Sequence, residues 1–218
     1  MNQSIAVVGA GICGLFTGLS LARKGFDVTL FERDVPPPEG NAEEAFFSWQ
    51  RRGAAQFRHP HAFLGLMCSV LGEKYPDLLD ELLAAGARKL TFEDMVPDHL
   101  RDQYQPEVGD EKLWMLLCRR ATIETVLRHY VARESNLRIQ SQTYVTDVLV
   151  EEGQSVQGEP TLTVTGLELT DRHNQNAKST HSAEVIVNAS GRADKFYQWL
   201  QHKGADIIEQ RDDAEIVY

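Results

Sequence analysis

Short apolar runs alternate with polar turns along the chain, and their period switches between strand and helix. Ser4-Ile5-Ala6-Val7-Val8 and Phe26-Asp27-Val28-Thr29-Leu30-Phe31-Glu32 read as two strands. Between them Ile12, Leu15, Phe16, Leu19 and Ala22 recur at helical spacing. This predicts a helix over 12–24 that packs one face on a sheet and stops at Gly25. Further helices are predicted over 62–73, with Phe63, Leu66, Met67, Val70 and Leu71 on one face, over 76–85, and over 119–134. Strands are predicted over 88–92 and 112–118. Residues 136–142 read as a third strand of the parallel sheet. Three β-rich runs, 143–151, 161–170 and 179–187, are separated by turn-forming segments. They predict an antiparallel meander over about 143–187 that feeds back into the main sheet. The pattern is that of an α/β fold with no internal repeats.

The segment joining the first strand to the first helix is Gly9-Ala10-Gly11-Ile12-Cys13-Gly14. Strand, glycine turn, helix, strand and acid follow in the order of a dinucleotide-binding βαβ unit. Gly9 permits the tight turn, Gly11 lets a pyrophosphate approach the backbone, and Gly14 lets the helix pack near the strand. The helix N-terminus supplies free N–H groups and a partial positive charge. Glu32 is placed to accept both hydroxyl hydrogens of an adenosine ribose. A carboxylate there repels a 2′-phosphate, so the site suits NAD or FAD better than NADP. The βαβ unit alone does not separate FAD from NAD.

Composition narrows the picture. The chain has 218 residues, 42% apolar and 25% charged, with a net charge of −10. Those values fit an ordinary globular protein and argue against a nucleic-acid surface or an anionic membrane surface. No apolar run approaches the ~18 residues of a membrane span. The N-terminus enters a strand almost at once, so no signal peptide is expected and a cytoplasmic location is. Cys13, Cys68 and Cys118 are odd in number and widely spaced, as in reduced thiols. Cys13 occupies a variable slot of the glycine turn, where a packing role is expected.

After Glu32 three prolines and a glycine, within 33–41, exclude regular structure. Residues 46–61 mix aromatics, cations and imidazoles and read as a long functional loop. His59 and His61 lack companions with metal-ligand spacing, so no metal is expected. The pairs Arg51-Arg52 and Arg119-Arg120 also fit plain solvated charges. Residues 184–187 form an apolar strand end followed by Asn188-Ala189-Ser190-Gly191-Arg192. Those small residues put backbone beside whatever the glycine turn binds.

Four segments together resemble the FAD-dependent monooxygenase superfamily, the flavin hydroxylases related to p-hydroxybenzoate hydroxylase, with a FAD-binding fold of the glutathione-reductase type. They are residues 7–14 with Phe31-Glu32-Arg33, and Arg52-Gly53-Ala54-Ala55-Gln56-Phe57-Arg58-His59-Pro60-His61. The others are Arg120-Ala121-Thr122-Ile123-Glu124 and Ile186-Val187-Asn188-Ala189-Ser190-Gly191-Arg192. The resemblance implies a Rossmann-like FAD-binding domain with a central parallel sheet, an inserted meander and flanking helices. It implies that Gly9, Ala10, Gly11, Ile12, Cys13 and Gly14 hold the FAD pyrophosphate, with Glu32 on the ribose and Arg33 beside the adenosine. Arg120 would reach the pyrophosphate, Arg52, Gln56 and His59 the ribityl chain or flavin ring, and Ala189, Ser190, Gly191 and Arg192 the adenine side. Two positions depart from the pattern: Ala55 stands where proline is usual, and Asn188 where an acid is usual.

Such proteins also carry a substrate domain that is missing from this sequence. The chain is therefore expected to be a single FAD-binding domain over 1–218, with a second domain just beginning over about 205–218. The activity implied is a hydroxylase that takes electrons from NAD(P)H and uses O2 on a small organic substrate. An incomplete flavin domain without turnover, or half of a split flavoprotein that pairs with a partner chain or itself, stays open. So does a plain NAD-binding dehydrogenase. No residue reads as an obligatory acid, base or nucleophile.

Overall fold

The computed structural model describes residues 2–191 and 195–208. In order, the chain forms β1 (Ser4–Val8), α1 (Ile12–Ala22), β2 (Asp27–Phe31), α2 (Ala42–Ser48), β3 (Pro60–Phe63), α3 (Gly65–Lys74), α4 (Pro76–Ala84), β4 (Arg88–Thr91), α5 (Phe92–Met95), α6 (Asp98–Arg101), β5 (Trp114–Arg119), α7 (Arg120–Val131), β6 (Leu137–Gln140), β7 (Thr143–Gln154), β8 (Pro160–Asp171), β9 (Ala177–Ser182), β10 (Val185–Asn188) and α8 (Phe196–His202).

A parallel sheet of order β10-β1-β2-β6 lies at the centre. Alternation along β1 explains the layers on either side of it. Ile5 and Val7 point into a core with Leu15 and Leu19 of α1, Leu71 of α3, Leu78 and Leu82 of α4, and Ile123 and Leu127 of α7. Ala6 and Val8 point the other way, onto Val148, Leu167 and Leu169 of the β7-β8-β9 meander. A strand covered on both faces has no need of polar alternation, which is why this one is a continuous apolar run. Each fully buried leucine in these layers contributes about 1.5–3 kcal/mol. A small antiparallel sheet, β3-β5-β4, sits beside them and delivers the start of α7.

The α/β class, the βαβ unit, β6 as a parallel neighbour of β2, and the meander match the expectations from sequence. Three local assignments change. The run 179–187 is two elements: β9 ends at Ser182, and β10 leaves the meander to pair in parallel with β1. Glu184 makes the break, its carboxylate accepting from the Ser4 N–H at 2.8 Å. The helix expected over 62–73 starts only at Gly65, because residues 60–63 pair with β5 as β3. The expected loop over 46–61 contains the end of α2, whose N-cap Asn41 accepts from the N–H groups of Glu43 and Glu44. Its remainder folds around a small core of Ala45, Trp49, Ala54, Phe57 and Ala121. The Trp49 and Phe57 rings meet edge to face, 5.3 Å apart. Most of the segment assigned to a second domain, 209–218, lies outside the described residues.

Candidate functional site

The site begins where β1 ends. Gly9 has φ +98°, and its N–H donates to Phe31 O at 2.8 Å, which ties the turn to the end of β2. The Ala189 N–H donates to Val8 O at 2.8 Å. A Cβ on Gly9 would lie 2.5 Å from the Ala189 carbonyl oxygen, and one on Gly14 would land on the carbonyl of Gly9. Gly9 and Gly14 are therefore fixed by backbone contact. Gly11 is different: a Cβ there would meet only the Nη2 of Arg120, at 4.0 Å. The space above Gly11 is open and edged by a guanidinium.

Gly11 is also the N-cap of α1, in extended conformation. It has no side chain to cap the helix, and no acid stands in the first turn. The first-turn N–H groups thus have no local side-chain acceptor, which leaves them for an anion. Cys13 is exposed in this turn, so the packing role expected for it does not apply. The two remaining cysteines are buried. Burial pushes the Cys118 thiol up to about 11, and the Cys68 thiol upward as well.

Arg120 opens α7, and its Nε donates to Glu124 Oε1 at 2.5 Å, one helical turn on. Glu124 is fully buried and its Oε2 accepts from Arg51 Nε at 2.8 Å. Arg51 Nη1 in turn reaches Asp34 Oδ2 at 2.9 Å and Glu32 Oε2 at 3.0 Å. Arg128 Nη2 reaches Glu32 Oε2 at 3.4 Å and Ala10 O at 3.2 Å. Glu32 itself is only 5% exposed; its Oε2 accepts from the Ala10 N–H and its Oε1 from the Asp34 N–H. The indole of Trp49 has the guanidinium carbons of Arg51 and Arg128 each 5.2 Å from its ring centre. Glu32, Asp34 and Glu124 thus face Arg51, Arg128 and Arg120 in one network that balances its own charge.

The energetics of this network follow from burial. Desolvation raises the Glu32 carboxyl, but Arg51, the Asp34 N–H, Arg128 and the Ala10 N–H outweigh it and hold it below its ordinary 4.5. Burial, and then the charge of Arg51, push Arg128 down to about 10, so it stays cationic at neutral pH. For Arg51 burial is again the largest effect and acts downward. The carboxylates of Glu124, Glu32 and Asp34 overcome it and raise the group.

The residues expected at the site fall into two sets. Gly9, Ala10, Gly11, Ile12, Cys13, Gly14, Glu32, Arg120, Ala189, Ser190 and Gly191 converge on the end of β1. The Asn188 carboxamide oxygen accepts from the Ser190 hydroxyl at 2.6 Å and its N–H at 3.2 Å, so the residue that replaces the usual acid shapes this turn. Arg192 lies outside the described residues. Arg33, Arg52, Gln56 and His59 form the second, exposed set. The His59 carbonyl accepts from the Arg120 N–H at 3.4 Å, which brings His59 to the glycine turn through Arg120. Arg33 Nη2 lies 3.2 Å from where a Gly53 Cβ would be, so it borders the Arg52 loop. Arg51, Arg52, Arg58 and His59 line a cavity of about 210 Å³ in that loop. The Gln56 carbonyl closes a turn, accepting from the His59 N–H.

Sequence reasoning missed Arg51 and Arg128. Arg51 belongs to a pair that fits solvated charges, yet its side chain is 4% exposed. One signal was present: Arg120, Glu124 and Arg128 recur every fourth residue, a charged stripe along one line of the helix.

A family model described as FAD dependent oxidoreductase matches residues 4–210. The chain belongs to that family. PreT of Escherichia coli (strain K12), an NAD-dependent dihydropyrimidine dehydrogenase subunit, is 35% identical over 60 residues, 28% of this chain and 12% of PreT. Thermovibrio ammonificans THI4 matches this flavoprotein-family fold with TM-score 0.55 and 20% identity, over 93% of this chain and 63% of THI4. The p-nitrophenol 4-monooxygenase PnpA of Pseudomonas putida DLL-E4 matches with TM-score 0.55 and 16% identity, over 86% of this chain and 40% of PnpA. At such identities the structural matches speak for the fold. The chain spans less than two thirds of the length of each of these proteins. No helix among the described residues is long and apolar enough to cross a membrane.

Proposed function

We propose that the chain grips FAD by its ADP half and is the cofactor-binding part of a flavin-dependent monooxygenase. The observation that carries this is the open space above Gly11, with uncapped N–H groups of α1 on one side and Arg120 Nη2 on the other. A diphosphate fits both: N–H groups donate to its oxygens, and a guanidinium binds them with two parallel hydrogen bonds. Glu32, at the end of β2, faces the ribose, and Arg33 borders the adenosine. Ala189, Ser190 and Gly191 line the adenine side, with Arg192 next in sequence. Arg52, Gln56 and His59 lie toward the ribityl chain and flavin ring. Glu124 holds Arg120 by its Nε and so leaves the Nη groups facing the turn. When bound, FAD supplies the redox chemistry; these residues bind and orient it.

The reductant in this reading is NAD(P)H, the oxidant O2 and the substrate a small organic molecule. The monooxygenase class is supported by the fold shared with PnpA and by the sequence segments that flank the glycine turn. A second reading is a FAD-binding chain without turnover of its own, completed by a partner chain or a second copy. It is favoured by the exposed apolar side chains of Phe47, Leu64 and Leu66, which a second chain would cover. The two separate in one experiment. The FAD-loaded chain is mixed with NADH or NADPH in air, and nicotinamide oxidation is followed against a FAD-only blank. Flavin-dependent oxidation by a monodisperse monomer supports the first reading. Tight FAD binding with no oxidation, in a self-associated protein, supports the second.

A further inference from the structure

We infer that the outer face of the small sheet β3-β5-β4 is the contact between two copies of this chain. The inference does not depend on the FAD reading, and it gives the second reading above a surface. The strand register assigns the side chains of this sheet to two faces. Residues directly opposite in an antiparallel pair share a face, and neighbours along a strand alternate. Trp114, Leu116 and Cys118 of β5 point into the core. Met115 and Leu117 therefore point outward, with Leu90 opposite Met115 and Ala62 opposite Leu117. Ala62 is exposed and the other three are half-buried. None of the four belongs to a buried apolar cluster among the described residues. An antiparallel sheet with one face in water normally carries polar residues there. This one carries an apolar strip on its central strand, and the exposed Leu64 and Leu113 extend it.

Charge identifies what covers the strip, because its two ends carry opposite signs. At one end Arg88, opposite Leu117, and Arg119, opposite Pro60, are exposed on the outward face, and Arg58 stands just before β3. At the other end lies the segment between β4 and β5. Residues 92–112 hold seven acids against two bases, a net charge of −5 in a chain of −10. Glu93, Asp94 and Glu111 are exposed there, within three residues of the strand ends. A two-fold axis lying in the interface and across β5 sets the strip of one copy on the strip of the other. The cationic end of each copy then meets the acidic end of its partner. Such self-complementarity is what a symmetric dimer requires, and the parallel arrangement, cation on cation, is disfavoured.

The test is sedimentation equilibrium of the full chain between about 1 and 100 μM, in low and high salt, with and without FAD. The expected result is a monomer–dimer equilibrium that weakens as salt screens the contacts at the two ends. Met115→Glu puts a carboxylate in the middle of the strip. That variant stays folded by circular dichroism, because the side chain lies outside the core, and dimerises about 10-fold or more weakly. Arg88→Glu and Glu93→Arg each weaken the dimer about 10-fold, since every end contact occurs twice. An equimolar mixture of the two variants regains it, because both ends of one then match both ends of the other. A chain that stays monomeric across this range overturns the inference. So does a dimer that Met115→Glu leaves intact, because its contact is another surface. Charge variants that dimerise like the parent, or that do not recover on mixing, overturn the two-fold arrangement. A salt-sensitive dimer that binds no FAD upholds the inference and overturns the cofactor reading alone.

Discussion

Replacing Glu124 by alanine removes the residue that joins Arg120 to the buried network. The carboxylate is fully buried and accepts from two guanidinia, Arg51 Nε at 2.8 Å and Arg120 Nε at 2.5 Å. Breaking a buried ion pair by deleting one partner costs about 3–5 kcal/mol. Two features pull the value to the lower end. Arg51 keeps Glu32 and Asp34 as counter-charges, and the Arg120 side chain is 21% exposed, so water takes up part of its loss. We expect about 3 kcal/mol, which for a domain of this size lowers Tm by roughly 6–12 °C. Glu124→Gln, which keeps one acceptor oxygen, lowers it less. Thermal unfolding at pH 7 by circular dichroism reads the stability. Titration with FAD on the folded variant should also show about 10-fold weaker binding, because Arg120 is no longer aimed at Gly11. A folded Glu124→Ala protein within about 2 °C of the parent would refute the claim that this carboxylate anchors the two arginines.

Other consequences are as direct. Gly11→Val should leave the fold intact, since a Cβ there meets only Arg120, and should abolish FAD binding; Gly14→Val, whose Cβ would land on the Gly9 carbonyl, should lower Tm sharply or prevent folding. Circular dichroism with a FAD titration distinguishes these two losses. Arg120→Met should weaken FAD binding about 10–100-fold and lower Tm by less than Glu124→Ala does, because Glu124 loses the donor to Oε1 but retains Arg51; unaltered affinity would remove Arg120 from the site. Glu32 is held below its ordinary 4.5, so its stabilising contribution is complete above that value and is lost as pH falls through its folded pKa. Urea midpoints measured between about pH 3 and 6 should decline toward acid, and Glu32→Gln should flatten that decline. An equal acid slope in the variant would show that Glu32 is not ionised and paired as described.

What the sequence revealed follows the range of the interactions. The glycine turn, α1 and the acid ending β2 are local and carry fixed spacings, so they were legible. So were the meander turns, although the first is tighter than its composition suggests. Gly153 and Pro160 are paired in β7 and β8 and only 155–159 turn; the polar stretch after Asp171 makes the second. β10 was hidden because only Ala183 and Glu184 separate it from β9, too short a break to read as a turn, and only a parallel partner at Ile5 to Val8 gives it away. Helix α2 has seven residues, too few for a period to show. The buried charge network was the least legible part. Arg51 and Glu124 are 73 positions apart, and Glu32 and Arg128 are 96 apart. Nothing beside Arg51 in the sequence distinguishes it from its exposed neighbour Arg52. Tertiary pairing turns one into a structural cation and leaves the other on the surface.

The central claim is that this glycine turn holds FAD by its ADP half. The chain should be incubated with FAD and desalted, and its visible spectrum recorded before and after competition with excess ADP. The account predicts flavin absorbance near about 450 nm retained at close to one FAD per chain and displaced by ADP. A folded protein that emerges colourless, or one whose flavin ADP does not displace, would contradict it.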